Sequence, residues 1–227
     1  DDFPNNNRGA GFSYRGSQNL LFEGALMVGY AYNRLSNVAR GSSGSASNRD
    51  FAIVKSIVSS VPGKNADEET YAEFKSQDDS TNANVIVLQT GYQSRSNIEN
   101  EYILVTYDII NNSGEYRDSV FAALYMDWDI GPSGSNNIAI WNKSKEYAFV
   151  QNSGVDALPL VGMKLLSNQQ VNFWAIDNDG DTLTNPGVYD GFTKEEKWQM
   201  MTGKIGRDTS SKTDVSLVFG AGPISMR

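Results

Sequence analysis

The chain has 227 residues, of which 39 % are hydrophobic and 11 % aromatic, enough to bury a core within one large β domain. Acidic residues outnumber basic ones 27 to 19, a net charge of −8, and such a surface repels phosphate backbones and anionic lipid, so nucleic acid is not an expected partner. The chain has no cysteine, which removes disulfides, thiol nucleophiles and thiolate metal sites, and no histidine, which removes Ser-His-Asp triads, imidazole bases and imidazole-bound metals.

Membrane insertion is not expected either, because no apolar run approaches the length of a spanning helix. The opening Asp1-Asp2-Phe3-Pro4 is not a signal peptide, so the chain reads as a mature or excised fragment. Clusters of Gly, Ser and Asn separate short runs rich in Val, Ile, Tyr and Phe, the punctuation of a β protein. Taken in order, strands are expected at Leu20–Tyr32, Phe51–Val58, Tyr71–Lys75 and Asn84–Tyr92. Between the first two, residues 41–48 form a Gly- and Ser-rich loop too short for a domain linker.

The clearest strand is Glu101–Ile110. It ends at Asn111-Asn112-Ser113-Gly114, and Ser119–Met126 follows after a short gap, so the two are expected to form a long hairpin. Neither alternates cleanly, which predicts burial on both faces for part of each. Further strands are expected at Glu146–Gln151, Leu158–Leu166, Val171–Ile176 and Asp214–Phe219. One helix stands out near 194–202: Thr193-Lys194-Glu195-Glu196 has capping-box spacing, Trp198 and Met201 share a face, and Gly203 supplies a stop. The expected fold is therefore a single all-β domain over 1–227, an antiparallel sandwich of two sheets plugged at one edge or end by that short helix.

Two acidic clusters can carry chemistry. In Asp127-Trp128-Asp129-Ile130-Gly131, followed by Asn136-Asn137, the two carboxylates sit at positions i and i+2 of a strand end and face one way, about 6.6–7 Å apart. Like charges so placed repel unless a cation or a shared proton lies between them, and oxygen-rich, Gly-containing surroundings suit Ca²⁺. The same spacing falls within the roughly 6.5–9.5 Å carboxylate separation of an inverting glycosidase. The alternative for any such pair is plain solvation at a turn.

The second cluster is Asp177-Asn178-Asp179-Gly180-Asp181. Asp177, Asp179 and Asp181 resemble the opening of an EF-hand loop, but the glycine comes two places early and Val188 stands where the bidentate Glu belongs. A calcium loop of another kind, joined by Asp190, or an Asn-Asp-Gly turn held by its own backbone, are the two readings. Trp128, Trp141, Trp174 and Trp198, with Tyr30, Tyr32, Tyr92 and Tyr189, are candidates for a sugar-stacking platform. Gly131-Pro132-Ser133-Gly134 and Gly220-Ala221-Gly222 lack the Lys and helix start of a phosphate loop.

Several phrases recur together in a known order. They are Gly11–Tyr14, Leu21–Gly29, Asn37–Arg40, Asp50-Phe51, Glu101–Asn112, Ala123–Gly131, Val161–Leu166, Asp190–Trp198 and Asp214–Ser225. This order resembles a β-sandwich accessory module of long secreted and cell-surface proteins of Bacteroidota and related bacteria, type IX secretion substrates that often carry a subtilisin-like protease domain. The resemblance implies a secreted or surface location and an accessory role, and it carries over no catalytic residue. It also implies that strands continue after Ala221–Ser225, so that an edge strand here is unpaired or completed by another chain.

The leading expectation is a non-catalytic extracellular module that binds a glycan or protein, or steadies neighbouring domains, with calcium at Asp127 and Asp129, at Asp177, Asp179 and Asp181, or at both. A carbohydrate-active enzyme using a carboxylate pair, a structural subunit completed by strand pairing, and an inhibitory or chaperone-like domain for a linked protease are the alternatives. A ligand binder should present exposed aromatics beside polar groups on a flat or concave face; a structural subunit should present a free strand edge and an apolar patch.

Overall fold

A computed structural model describes residues 11–43, 47–96, 100–131, 134–154 and 159–227. Asp1–Pro4, the middle of the 41–48 loop, Pro132, Ser133 and the Leu158 start of one expected strand lie outside the described residues. The described chain is all-β and sandwich-like, with one short helix.

Fifteen strands are described: β1 (Leu21–Ala31), β2 (Arg34–Asn37), β3 (Phe51–Ser60), β4 (Glu68–Ser76), β5 (Val85–Gln93), β6 (Ile103–Asn111), β7 (Arg117–Trp128), β8 (Asn137–Asn142), β9 (Tyr147–Asn152), β10 (Val161–Met163), β11 (Val171–Asp177), β12 (Asp181–Thr182), β13 (Asn185–Pro186), β14 (Ile205–Arg207) and β15 (Val215–Met226). The central sheet has six strands in the order β14-β11-β15-β7-β1-β2, antiparallel except where β14 lies parallel to β11. Its alternate residues sort the core. Leu21, Trp128, Phe173, Leu217 and Phe219 meet Ala139, Ala148, Val150 and Val161 of the three-stranded sheet β10-β9-β8.

Further along the same face, Leu26, Val28 and Val120 meet Val85 and Val87 of the four-stranded sheet β3-β4-β5-β6. The opposite face presents Ala25, Met27, Tyr125, Trp174 and Val218 to Phe192 and to Met200 and Met201 of helix α1 (Lys194–Thr202). Two separate sheets thus share one face of the central sheet, and the helix, expected at an edge or end, instead packs on the other face, because Met200 and Met201 bury against Ala25, Met27, Tyr125 and Val218. Each residue's side of the sheet follows from strand periodicity, and each contact removes apolar area from water.

The capping box is present. Glu196 N–H donates to the Thr193 hydroxyl, and Thr193 N–H donates to the Glu196 carboxylate at 2.8 Å. Gly203 ends the helix for a different reason from the one expected. Its φ is −73°, and Lys204 takes the left-handed turn at φ 57°. A Cβ at Gly203 would lie 2.9 Å from Gln199 O and 3.2 Å from the Trp174 ring, so the glycine is required by close packing.

The expected hairpin does not form. β6 is the outer strand of the four-stranded sheet, paired among the described residues only with β5, whereas β7 lies between β15 and β1 in the central sheet. The link between them crosses from one layer to the other. Asn112 N–H donates to Asn84 O at 3.0 Å, which ties the end of β6 to the start of β5. Nor is β6 buried on both faces: Ile103, Leu104, Val105 and Ile110 are exposed. A near-continuous apolar run marks an interior strand in most sheets; here it marks the outermost strand among the described residues.

Candidate functional site

The acids gather where β7 ends. Ser216 of β15 and Glu23 of β1 flank Asp127 in register, and the β15 register continued two residues outward sets Asp214 opposite Asp129. A β-bulge at Phe22 turns Leu21 toward the three-stranded sheet and Glu23 toward the helix side, the side that Asp127 shares. Asp127, Asp129 and Asp214 each offer an oxygen, and these oxygens all lie within 4.8 Å of one another. The Asp127–Asp129 pairing expected from strand spacing is therefore present, and Asp214 joins it.

The corner is built to hold negative charge away from water. Arg40 is 8 % exposed and lies between Glu23 and Asp127: Nε donates to Glu23 Oε2 at 3.1 Å and Nη2 to Asp127 Oδ2 at 2.8 Å. Arg40 N–H also donates to Glu23 Oε1 at 2.7 Å. Asn178 Nδ2 donates to Asp127 Oδ1 at 3.2 Å and to Asp214 Oδ1 at 3.0 Å, while Ser216 Oγ donates to Asn178 Oδ1 at 2.6 Å. The exposed Tyr189 hydroxyl donates to Asp214 Oδ2. Lys197, fully buried on the helix, donates to Arg40 O at 2.7 Å.

Electrostatics at the corner follow from burial. Desolvation pushes the Asp127 carboxyl up to about 7; Arg40 and the Asn178 hydrogen bond oppose the rise, and the charges of Asp214 and Asp129 add to it. Burial and then Asp214 raise Asp129 as well. Gly134, at φ 63°, makes room for Asp129: a Cβ there would fall 2.2 Å from Asp129 Oδ1. Asn137 is bound by its backbone to Thr213, the residue before Asp214, and by its Nδ2 to Trp128 O, between the other two acids. Its side-chain Oδ1 is buried and has no hydrogen-bond partner in the chain. Three carboxylates with oxygens this close together form a hard-oxygen donor set of the kind a divalent cation takes.

Comparison of the chain with family models, with curated proteins and with solved structures returns no match.

The second acidic cluster is arranged differently. Asp177 is buried and turned to Arg207, whose Nη2 donates to Oδ2 at 2.7 Å; Asn185 Nδ2 and the Ser211 N–H take further lone pairs. Burial works against its ionisation, yet these bonds hold the carboxyl below its usual range. Asp179, Asp181 and Asp190 are exposed, and the fold does not draw Asp177, Asp179 and Asp181 into one group. Gly180 lies against the 185–187 backbone in a tight turn, where a Cβ would fall 2.3 Å from Asn185 O.

Sequence reasoning missed Asp214, Arg40 and Glu23 as members of the corner. Asp214 carries no spacing signal, because it lies 85 positions after Asp129 in the chain. Glu23 does: a carboxylate inside the apolar run Leu21–Tyr30 requires a buried partner. Of the stacking candidates, Trp128 and Trp174 are buried, Trp141, Trp198, Tyr30 and Tyr92 are half-buried, and only Tyr32 and Tyr189 are exposed. A cavity of about 410 Å³ is lined by Tyr32, Asn48, Thr81, Phe192 and Lys194, and by none of the acids above.

The other distinctive surface is the outer part of the four-stranded sheet, referred to below as the wing. Phe74, Val87 and Ile109 pack beneath the central sheet at one end. Beyond them, Ile53–Ser60 of β3 are exposed without interruption, so both faces of that edge meet water. Ile53 is 76 % and Ile57 65 % exposed, Val54 and Val58 are exposed beside them, and Ile103, Leu104 and Val105 are exposed on the opposite edge, β6. So many large aliphatic side chains on one projection exceed the scattered apolar exposure usual on monomers.

Proposed function

We propose that this chain is a non-catalytic extracellular module that supports or joins proteins through its wing, with a Ca²⁺ ion steadying the Asp127–Asp129–Asp214 corner. The wing carries this reading. An apolar sheet whose two outer strands have no further strand partner among the described residues fits strand-mediated contact with protein, and with the tryptophans buried or half-buried only Tyr32 and Tyr189 remain for glycan stacking. Catalysis by the carboxylate pair has weaker support. Asp127 is 3 % exposed and its oxygens already accept from Arg40 and Asn178, which leaves little to offer a glycosidic oxygen.

Calcium is the cation of choice because the donors are all oxygen, and because sites in extracellular modules bind at about 10⁻⁴–10⁻³ M, the range of calcium outside cells. Asp129 and Asp214 would hold it, with the more deeply buried Asp127 behind them. Bound there, it would offset the mutual repulsion of the three carboxylates. At about 2 mM calcium and a dissociation constant on the order of 0.1 mM, the fold gains about 1.8 kcal/mol. For a chain of this size that raises the melting temperature by about 4–6 °C over chelator. Asp129→Asn and Asp214→Asn each remove most of the increment, whereas Asp179→Asn leaves it whole; equal melting with and without calcium discards the ion.

The wing has its own test. Anilinonaphthalene sulfonate should fluoresce on the folded chain, and Ile53→Ser with Ile57→Ser should abolish most of that signal without loss of fold. A folded wild-type chain that leaves the dye dark overturns the contact surface.

A further inference from the structure

Resting on that reading of the wing, we infer that β6 pairs with β6 of a second copy of this chain, antiparallel and about a two-fold axis through Tyr107. The two edges of the wing are not alike. β3 is irregular twice, between Ile53 and Lys55 and between Lys55 and Val58, and carries a lysine midway. Bulges and an edge lysine are the devices by which natural sheets refuse a further strand. β6 has neither: its register with β5 runs unbroken from Gln93↔Ile103 to Val85↔Asn111. It contains no Pro, Gly or Lys, and one charge, Asp108. Tyr102, Ile103, Leu104, Val105 and Ile110 stand exposed along it.

Self-pairing is strongly constrained. In an antiparallel ladder two opposed residues either both turn N–H and C=O toward each other or both turn them away. Two copies of one strand meet this rule only if the opposed residue numbers share parity, so the axis must pass through a residue. An axis at Asp108 sets the two carboxylates against each other, and an axis at Thr106 sets Asp108 against Leu104. An axis at Tyr107 avoids both. Leu104 then faces Ile110 of the second copy, Val105 faces Ile109, Ile103 faces Asn111, and each Asp108 meets the hydroxyl of a Thr106. All nine residues of β6 are used.

The result is one eight-stranded sheet joined by about eight to ten backbone hydrogen bonds, a usual number for a protein interface. The area covered is on the order of 1,000 Å², the lower end for specific contacts, which places the association in the micromolar to millimolar range. Both copies carry net charge −8, so added salt should strengthen the pairing by screening their repulsion.

The chain's lack of cysteine makes the register testable. Leu104→Cys combined with Ile110→Cys should give a covalent dimer on mild oxidation, and either change alone should give far less. In sedimentation velocity the wild-type chain should associate with rising concentration, Val105→Lys should weaken this at least tenfold, and Ile57→Lys on β3 should leave it unchanged. Dissociation by Ile57→Lys would replace this dimer with head-to-tail pairing of β6 on β3. A wild-type chain that stays monomeric to about 1 mM while still binding the dye on its wing overturns the dimer alone; loss of dye binding as well overturns the wing as a contact surface.

Discussion

The acidic corner and the wing invert the usual placement of residues. In the corner, Glu23, Arg40, Asp127, Asn178 and Lys197 are charged or polar and all buried. On the wing, Ile53, Val54, Ile57 and Val105 are aliphatic and all exposed. Each inversion is a burden on the fold, but of a different kind. A buried charge costs several kcal/mol unless its partners are exact in geometry, so the corner is rigid by necessity and fails if one member is removed. An exposed aliphatic forgoes burial and costs the folded state little, so the wing can change without loss of structure. The corner is thus where stability is at stake, and the wing is where a partner has something to gain.

The largest effect should come from Arg40→Met. It strips the cation from between Glu23 and Asp127 and leaves two buried carboxyls facing each other, at a cost of about 3–5 kcal/mol read from urea denaturation. A loss below 1 kcal/mol would show that water reaches the corner and that its burial is nominal.

Next in size is a pH effect at Lys197. Burial pushes its ammonium down to about 8 from 10.5, with Asp50 and Glu23 pulling the other way. The folded state therefore holds this proton less tightly than the unfolded state does. Stability should rise as pH climbs from about 8 toward 10.5, by at most about 3 kcal/mol, and Lys197→Met should flatten that slope. A slope that Lys197→Met leaves unchanged would show that Lys197 keeps its ordinary proton affinity in the fold.

The smallest effect tests the wing. Ile57→Ser should shift the melting temperature by no more than about 0.5 kcal/mol equivalent, since a residue 65 % exposed contributes little to the folded core. A larger drop would mean that the wing's aliphatics serve the fold itself, and the contrast with the corner would dissolve.

How much of this was legible in the sequence depends on how local each signal is. The helix was readable to within a residue, because a capping box needs only Thr193 and Glu196 three positions apart. Ten strands were visible as apolar runs; β2, β12, β13 and β14 are too short to read, and the apolar Ile138–Trp141 of β8 was passed over. The i, i+2 geometry of Asp127 and Asp129 was likewise local and held. What the single run Ile103–Ile110 did with its apolar side chains was not local, and interior burial was the wrong expectation for it.

Composition and periodicity therefore determined a β protein without imidazole or thiol chemistry, the place of its helix and the pairing of two aspartates at one strand end. Only the tertiary structure decided that Asp214 completes that pair while Asp177 turns to Arg207, that Arg40 lies between Glu23 and Asp127, and that β6 is left as an open edge. The reason is physical. Period and spacing act between neighbours along the chain, whereas strand order brings together residues dozens of positions apart, and burial then sets the charge each of them can keep.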